Sequence, residues 1–321
     1  MKRLNRLRKE LPTPKLSKTT NQTKVIQLPS GLSIYQVPPQ LTDPRISDWL
    51  ALHQVASPLL HNCRNQLFLF LSGSFGNPNN QNLLLREALE LGYHTINLSY
   101  PNSWTVGGLC RNSSDANCHE KIRLSILDGI DRTDGIKIDQ PEAIHNRLVK
   151  LLQYLQKQHP GEGWSSYLDE NGGQPQWSNI VVAGHSQGGG HAAVIAQQYL
   201  VARCIMLGSP ADFSTLLQAP APWLSSTHAT PVDRYYGFAH AQDQAIERIL
   251  LAWKLLGLGE LGQPINVDRM PSPYEESHQL LTSANPNRPG KYHGSVAVDL
   301  QTPKKIDGSP LFKPVWRYLF S

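Results

Sequence analysis

Asn179-Ile180-Val181-Val182-Ala183-Gly184-His185-Ser186-Gln187-Gly188-Gly189-Gly190-His191-Ala192-Ala193 is the stretch whose reading decides the fold. Its apolar start reads as a buried strand over 179–182, and its end opens a helix expected over 188–201. Between them Gly184-His185-Ser186-Gln187-Gly188 spells G-x-S-x-G. A strand that reverses into a helix within so few residues forces the middle residue into a strained conformation. Side chains on its flanks would collide, which accounts for the glycines. The serine is then held at the top of a sheet, beside the positive end of the helix, with its oxygen presented outwards.

Outward from this joint, strand and helix patterns alternate. Leu67-Phe68-Leu69-Phe70-Leu71 is a continuous apolar run, the mark of a strand covered on both faces. Before it, β-like runs over 24–28 and 32–37 flank Pro29-Ser30-Gly31 and predict an opening hairpin. Helices are expected over 82–91, 119–127, 141–158, 244–256 and 310–320, and strands over 94–98, 204–207, 234–239 and 279–282. This order predicts a three-layer α/β fold with a mostly parallel central sheet flanked by helices. No internal repeat or long linker interrupts it, so residues 25–321 are expected to form a single domain behind a basic tail, 1–24.

Composition narrows the function classes. With 40% apolar and 17% charged residues over 321 positions, the chain can bury a large core. The longest apolar candidate, Ile249 to Leu261, is broken by Lys254, Gly257, Gly259 and Glu260, so no integral membrane association is expected. The net charge is +5, but residues 1–24 hold eight basic residues against Glu10 alone, which leaves a net −2 on the rest. A near-neutral body gives no electrostatic footprint for nucleic acid. Leu4, Leu7 and Leu11 fall on one helical face among basic residues and could rest on an anionic surface; a solvated terminus is the plainer reading. Pro12-Thr13-Pro14-Lys15 stands where a signal peptide would need an apolar stretch, so a cytoplasmic location is expected.

Of the four cysteines, Cys204 lies in an apolar run and reads as inert core, and Cys63 is unplaced. Cys110 and Cys118 bracket a polar loop that a disulfide could staple into a small ring. Such a bond would instead suggest an exported protein, and both possibilities stay open.

The glycine-flanked serine between strand and helix resembles the α/β-hydrolase superfamily of serine hydrolases, in which Ser, Asp or Glu, and His follow one another in that chain order. By element order the resemblance spans most of 25–321; its specific content lies in the elbow and three further sites. It implies the α/β-hydrolase fold and a triad with Ser186 as nucleophile. A hydroxyl attacks poorly unless a base takes its proton and an acid orients that base. For the base, His293 lies after the last expected strand and before the final helix, where the superfamily places its histidine; His278, at the start of a β-like run, is the rival. For the acid, Asp243 follows the strand that ends near Ala239, and Asp212 in Gly208-Ser209-Pro210-Ala211-Asp212 is the alternative. An oxyanion hole is implied from the backbone amides of Gln187 and of Ser74, the latter favoured over Phe75 in Ser72-Gly73-Ser74-Phe75-Gly76. Here Ser72 stands in place of the histidine of an HGGG-type loop.

The reaction so implied is cleavage of a carboxylic ester or related acyl bond through an acyl-serine. It requires no metal or organic cofactor, and its partner is a small-molecule ester or acyl substrate. Two other classes compete. Gly184, Gly188 and Gly190 also match the G-x-x-x-G-x-G of NAD(P)-dependent short-chain dehydrogenases, but much α/β sequence precedes them and no Tyr-x-x-x-Lys follows. A non-catalytic binding protein on a hydrolase scaffold is the third. Metal ligation is not expected, since neither His185 and His191 nor His119-Glu120 forms an H-E-x-x-H. Trp223 and the segment 249–261 suit a lid or, equally, a helix packed on the sheet.

Overall fold

The computed structural model describes residues 22–27, 32–47 and 51–321. The basic tail up to residue 21 and the Pro29-Ser30-Gly31 turn lie outside the described residues. The chain begins with β1 (Lys24–Gln27), β2 (Ser33–Val37), α1 (Pro39–Thr42), β3 (His53–Ala56), β4 (Leu67–Leu71), α2 (Asn82–Glu90) and β5 (His94–Leu98). There follow α3 (Val106–Leu109), α4 (Cys118–Asp128), α5 (Ile144–Gln158), β6 (Ile180–His185), α6 (Gln187–Gln198) and β7 (Arg203–Leu207). Two-residue strands β8 (Phe213–Ser214) and β9 (Ala219–Pro220) pair with each other. The last third holds β10 (Tyr235–His240), α7 (Ile246–Leu255), β11 (Ile265–Asn266), β12 (Gln279–Thr282), α8 (Tyr292–Ser295) and α9 (Lys313–Phe320).

Ten strands form one sheet in the order β1-β2-β3-β5-β4-β6-β7-β10-β12-β11. The expected hairpin pairs antiparallel and is joined by β3 and β5 in the same sense. From β5 to β11 every pairing is parallel. The strand period of two explains how β4 is covered on both sides. Leu67, Leu69 and Leu71 enter a core shared with Ile122 of α4, Leu148 of α5, Val194 of α6 and Trp253 of α7. Phe68 and Phe70 enter a second core with Leu84 and Ala88 of α2 and Trp316 and Leu319 of α9. Each such side chain contributes roughly 1.5–3 kcal/mol when fully buried. The sheet between two helix layers is the expected three-layer arrangement.

Several boundaries move for local reasons. Strand β6 runs three residues past the expected end, because its ladders to β4 and β7 continue to Gly184 and His185. Helix α7 starts two residues late: Asp243 Oδ1 accepts the Ala245 amide at 2.9 Å, a turn that precedes the first helical residue. The segment from Ile249 packs as an ordinary helix, with Ile249 and Trp253 buried and the Trp253 indole donating to the Ser209 carbonyl at 2.8 Å. Cys110 and Cys118 are bonded, with Cα atoms 5.8 Å apart, and tie the end of α3 to the start of α4. Cys204 is a buried free thiol. Among the described residues no helix is long and apolar enough to cross a membrane.

Candidate active site

The parallel strands all point the same way, so the loops after β4, β6, β7, β10 and β12 gather along one edge of the sheet. At the centre of that edge, Ser186 sits between β6 and α6 with φ 55° and ψ −120°, a region that non-glycine residues avoid. Its amide is tied to the Leu207 carbonyl of β7 at 2.9 Å. The flanking glycines are there for space. A Cβ on Gly184 would lie 2.3 Å from the Gly188 backbone, and one on Gly188 would lie 2.0 Å from the Leu71 carbonyl oxygen. The third glycine of the dinucleotide-like spacing, Gly190, has a different tenant: a Cβ there would lie 2.2 Å from the Arg123 guanidinium. All three glycines are thus closely packed against protein atoms.

His293, on α8, meets Asp243 beyond β10: its Nδ1 lies 2.5 Å from Asp243 Oδ2. With Nδ1–H donating to the carboxylate, Nε2 carries the free lone pair. The Asp243 side chain is fully buried while His293 is about one-third exposed. Burial pushes the Asp243 carboxyl up, but the hydrogen bond and charge of His293 outweigh it and hold the group below its usual range. The imidazole also faces Gly208 at the end of β7, where an added Cβ would lie 3.4 Å from its Cε1 and Nδ1.

Two clefts flank Ser186, and both are also lined by Ser74, Gln244 and His293. One, of about 480 Å³, opens toward α8. The other, of about 430 Å³, opens toward α3 and Asp212. Gly73 backs directly onto the serine, since a Cβ on it would lie 3.0 Å from Ser186 Cβ. The Phe75 amide is committed to the Asn102 carbonyl at 2.7 Å. Among the described residues neither the Ser74 nor the Gln187 amide has a hydrogen-bond partner in the protein. The two residues are held together by their side chains, Ser74 Oγ donating to Gln187 Oε1 at 2.9 Å, and the same Oε1 accepts the Val106 amide at 3.1 Å. Ser72 is buried and donates to Gln81 at 3.0 Å, a structural post beneath the loop.

The two rivals are engaged elsewhere. His278 lines neither cleft; its Nδ1–H donates to the Tyr235 carbonyl at 2.8 Å and its ring stacks on Tyr236. Asp212 forms a buried ion pair with Arg123, whose Nε and terminal nitrogen donate at 2.7 and 2.6 Å, and also accepts the Trp223 indole N–H at 3.0 Å. Burial pushes this carboxyl up, and Arg123 more than offsets that, lowering it to about 2.

Sequence reasoning missed two residues of the site. Arg123 also donates to the Gln187 carbonyl at 3.0 Å, bracing the first turn of α6. His185 donates from Nε2 to the His293 carbonyl at 3.0 Å, and its pKa falls to about 3 through burial and the nearby His293. A histidine inside the G-x-S-x-G was a visible signal, but its partner lies 108 positions away. Among the described residues no cluster of three or more His, Cys, Asp or Glu could hold a metal ion.

No family model and no curated protein matches the chain. Among solved structures it is similar to an α/β serine hydrolase homologue from Coxiella burnetii, at 16% identity over 84% of this chain and 90% of that one, with a TM-score of 0.38. It is also similar to a variant of the esterase rPPE, at 13% identity over 94% and 80% of the two chains with a TM-score of 0.42. For an acetyl xylan esterase from Aspergillus awamori the figures are 11%, 74%, 80% and 0.34. None of these figures bears on substrate. The parallel sheet from β5 to β11, the helices on both of its faces and the sharp joint between β6 and α6 give this chain the α/β-hydrolase fold.

Proposed function

We propose that this chain is a serine hydrolase that cleaves a carboxylic ester or related acyl bond, with Ser186, Asp243 and His293 as its triad. The observation that carries the reading is the 2.5 Å contact between His293 and Asp243, made where the same histidine lines both clefts beside Ser186. His293 Nε2 takes the hydroxyl proton as Ser186 Oγ bonds to the substrate carbonyl carbon. The charge that develops on the carbonyl oxygen is met by the Ser74 and Gln187 amides. Collapse of the tetrahedral species breaks the bond to the alcohol, which leaves with the proton from His293. In the resulting acyl-serine, His293 takes a proton from water as the hydroxide adds to the acyl carbon. This second tetrahedral species collapses, breaking the bond to Ser186 Oγ, which recovers the proton from His293 as the carboxylic acid leaves. Asp243 holds the imidazole in the required tautomer and stabilises its protonated form.

A fluorophosphonate probe is expected to label wild type at Ser186 and to leave Ser186→Ala unlabelled at an unchanged melting temperature. A panel of nitrophenyl esters of rising chain length, run on both proteins, is expected to show turnover in wild type alone. Equal labelling of the variant would remove Ser186 from the mechanism.

A further inference from the structure

We propose that the cleft toward α3 receives an anionic group, so that the substrate is an ester carrying a carboxylate or comparable anion within reach of Arg111 and Arg248. The inference rests on the hydrolase reading for its chemistry, and on the charges of the cleft for its specificity.

Of the residues that line the two clefts, Asp212 is the one carboxylate, and Arg123 neutralises it. Three cations are left over: Arg111 and Arg248 in the cleft toward α3, and Lys291 in the cleft toward α8. Among the described residues none of the three has an acidic partner. Arg248 is steadied another way, with its guanidinium 5.0 Å from the centre of the Phe213 ring. An aromatic face fixes a guanidinium without cancelling its charge, and leaves the planar fork of N–H donors free for an incoming carboxylate. The polypeptide after the basic tail is slightly acidic, so a cleft with two uncompensated guanidinium groups does not follow from average composition. Positive potential at the mouth of a concave site also raises the encounter rate of anions over neutral molecules. The cleft toward α8 sets a lone lysine, Lys291, beside the uncharged amides of Asn80, Gln81, Gln242 and Gln301, and an ammonium lacks the planar fork that matches a carboxylate.

The test has two arms, because the anion can sit on the acyl or on the alcohol half. Mono-4-nitrophenyl adipate is compared with 4-nitrophenyl hexanoate for the acyl half. The acetate ester of 4-hydroxybenzoate is compared with that of methyl 4-hydroxybenzoate for the alcohol half. At low salt, one arm is expected to favour the charged ester at least tenfold in kcat/KM, mostly through KM. That ratio should fall toward one in the Arg111→Gln/Arg248→Gln double variant and in high salt, and should invert in Arg111→Glu/Arg248→Glu. Both residues are exposed, so folding should survive these changes. Ratios near one in both arms, or a preference unmoved by the double variant, would overturn the proposal. If no ester is turned over at all, the hydrolase reading fails, and calorimetric titration of adipate decides the anion site separately. Binding that the double variant loses supports the site, and no binding to wild type rejects it.

Discussion

Asp212 and Asp243 follow neighbouring strands, β7 and β10, on the same edge of the sheet, and they are buried alike, at 5% and 2% exposure. They differ in what holds them. Asp212 accepts three hydrogen bonds, two from a guanidinium and one from an indole, and none from an imidazole. Asp243 gives one oxygen to the Ala245 amide and the other to His293. The favoured candidate for the acid and its alternative are therefore told apart by their partners, an imidazole for Asp243 and a guanidinium for Asp212.

The contrast can be broken experimentally. Asp243→Asn should lower kcat by about 10⁴-fold, as expected when the imidazole is left in the wrong tautomer, while the melting temperature moves little. Steady-state kinetics beside thermal melts would check this; a loss under tenfold would put the acid elsewhere. Asp212→Asn should do the reverse, costing roughly 3–5 kcal/mol of stability because Arg123 stays buried without its counter-charge. Urea denaturation reads that cost, and an inactive variant of normal stability would reverse the two roles. The disulfide braces the Asp212 side, since it anchors the start of the helix that carries Arg123. Closing so short a ring is worth roughly 2–3 kcal/mol, so dithiothreitol should lower the melting temperature of wild type and leave Cys110→Ser/Cys118→Ser unmoved.

The smallest effect lies in the acid limb. A carboxyl lowered from 3.8 to about 2 contributes stability that is complete above pH 4 and is lost as the pH falls toward 2. The shift corresponds to about 2 kcal/mol. Wild type should therefore lose stability over this window more steeply than Asp212→Asn; parallel melting curves from pH 4 to 2 would remove Arg123 as the cause.

The apolar run of β4 and the glycine-serine elbow were legible because each carries its own explanation within a few residues. Strand β3 was not. His53-Gln54-Val55-Ala56 shows no clean alternation, and the partners of its buried polar pair are distant in sequence, with His53 Nδ1 accepting the Ser99 amide at 3.0 Å and Gln54 donating to Asn79. Strands β8, β9 and β11 are two residues long and leave no periodic trace. At the site, position along the chain pointed to Ser186, Asp243 and His293, but nothing local to Asp212 announces Arg123, 89 residues upstream. Arg111 and Arg248 likewise become a pair only in three dimensions.

The closeness of Gly190 to the Arg123 guanidinium has a consequence for how this chain can change over time. The bare backbone at 190 is a seat for a side chain from another helix, unlike Gly184 and Gly188, which serve the bend itself. In descendants and cousins, then, position 190 should stay free of a side chain only while an arginine occupies 123. Where that arginine is replaced by something shorter, 190 is released to grow, and the aspartate at 212 loses its reason to remain charged.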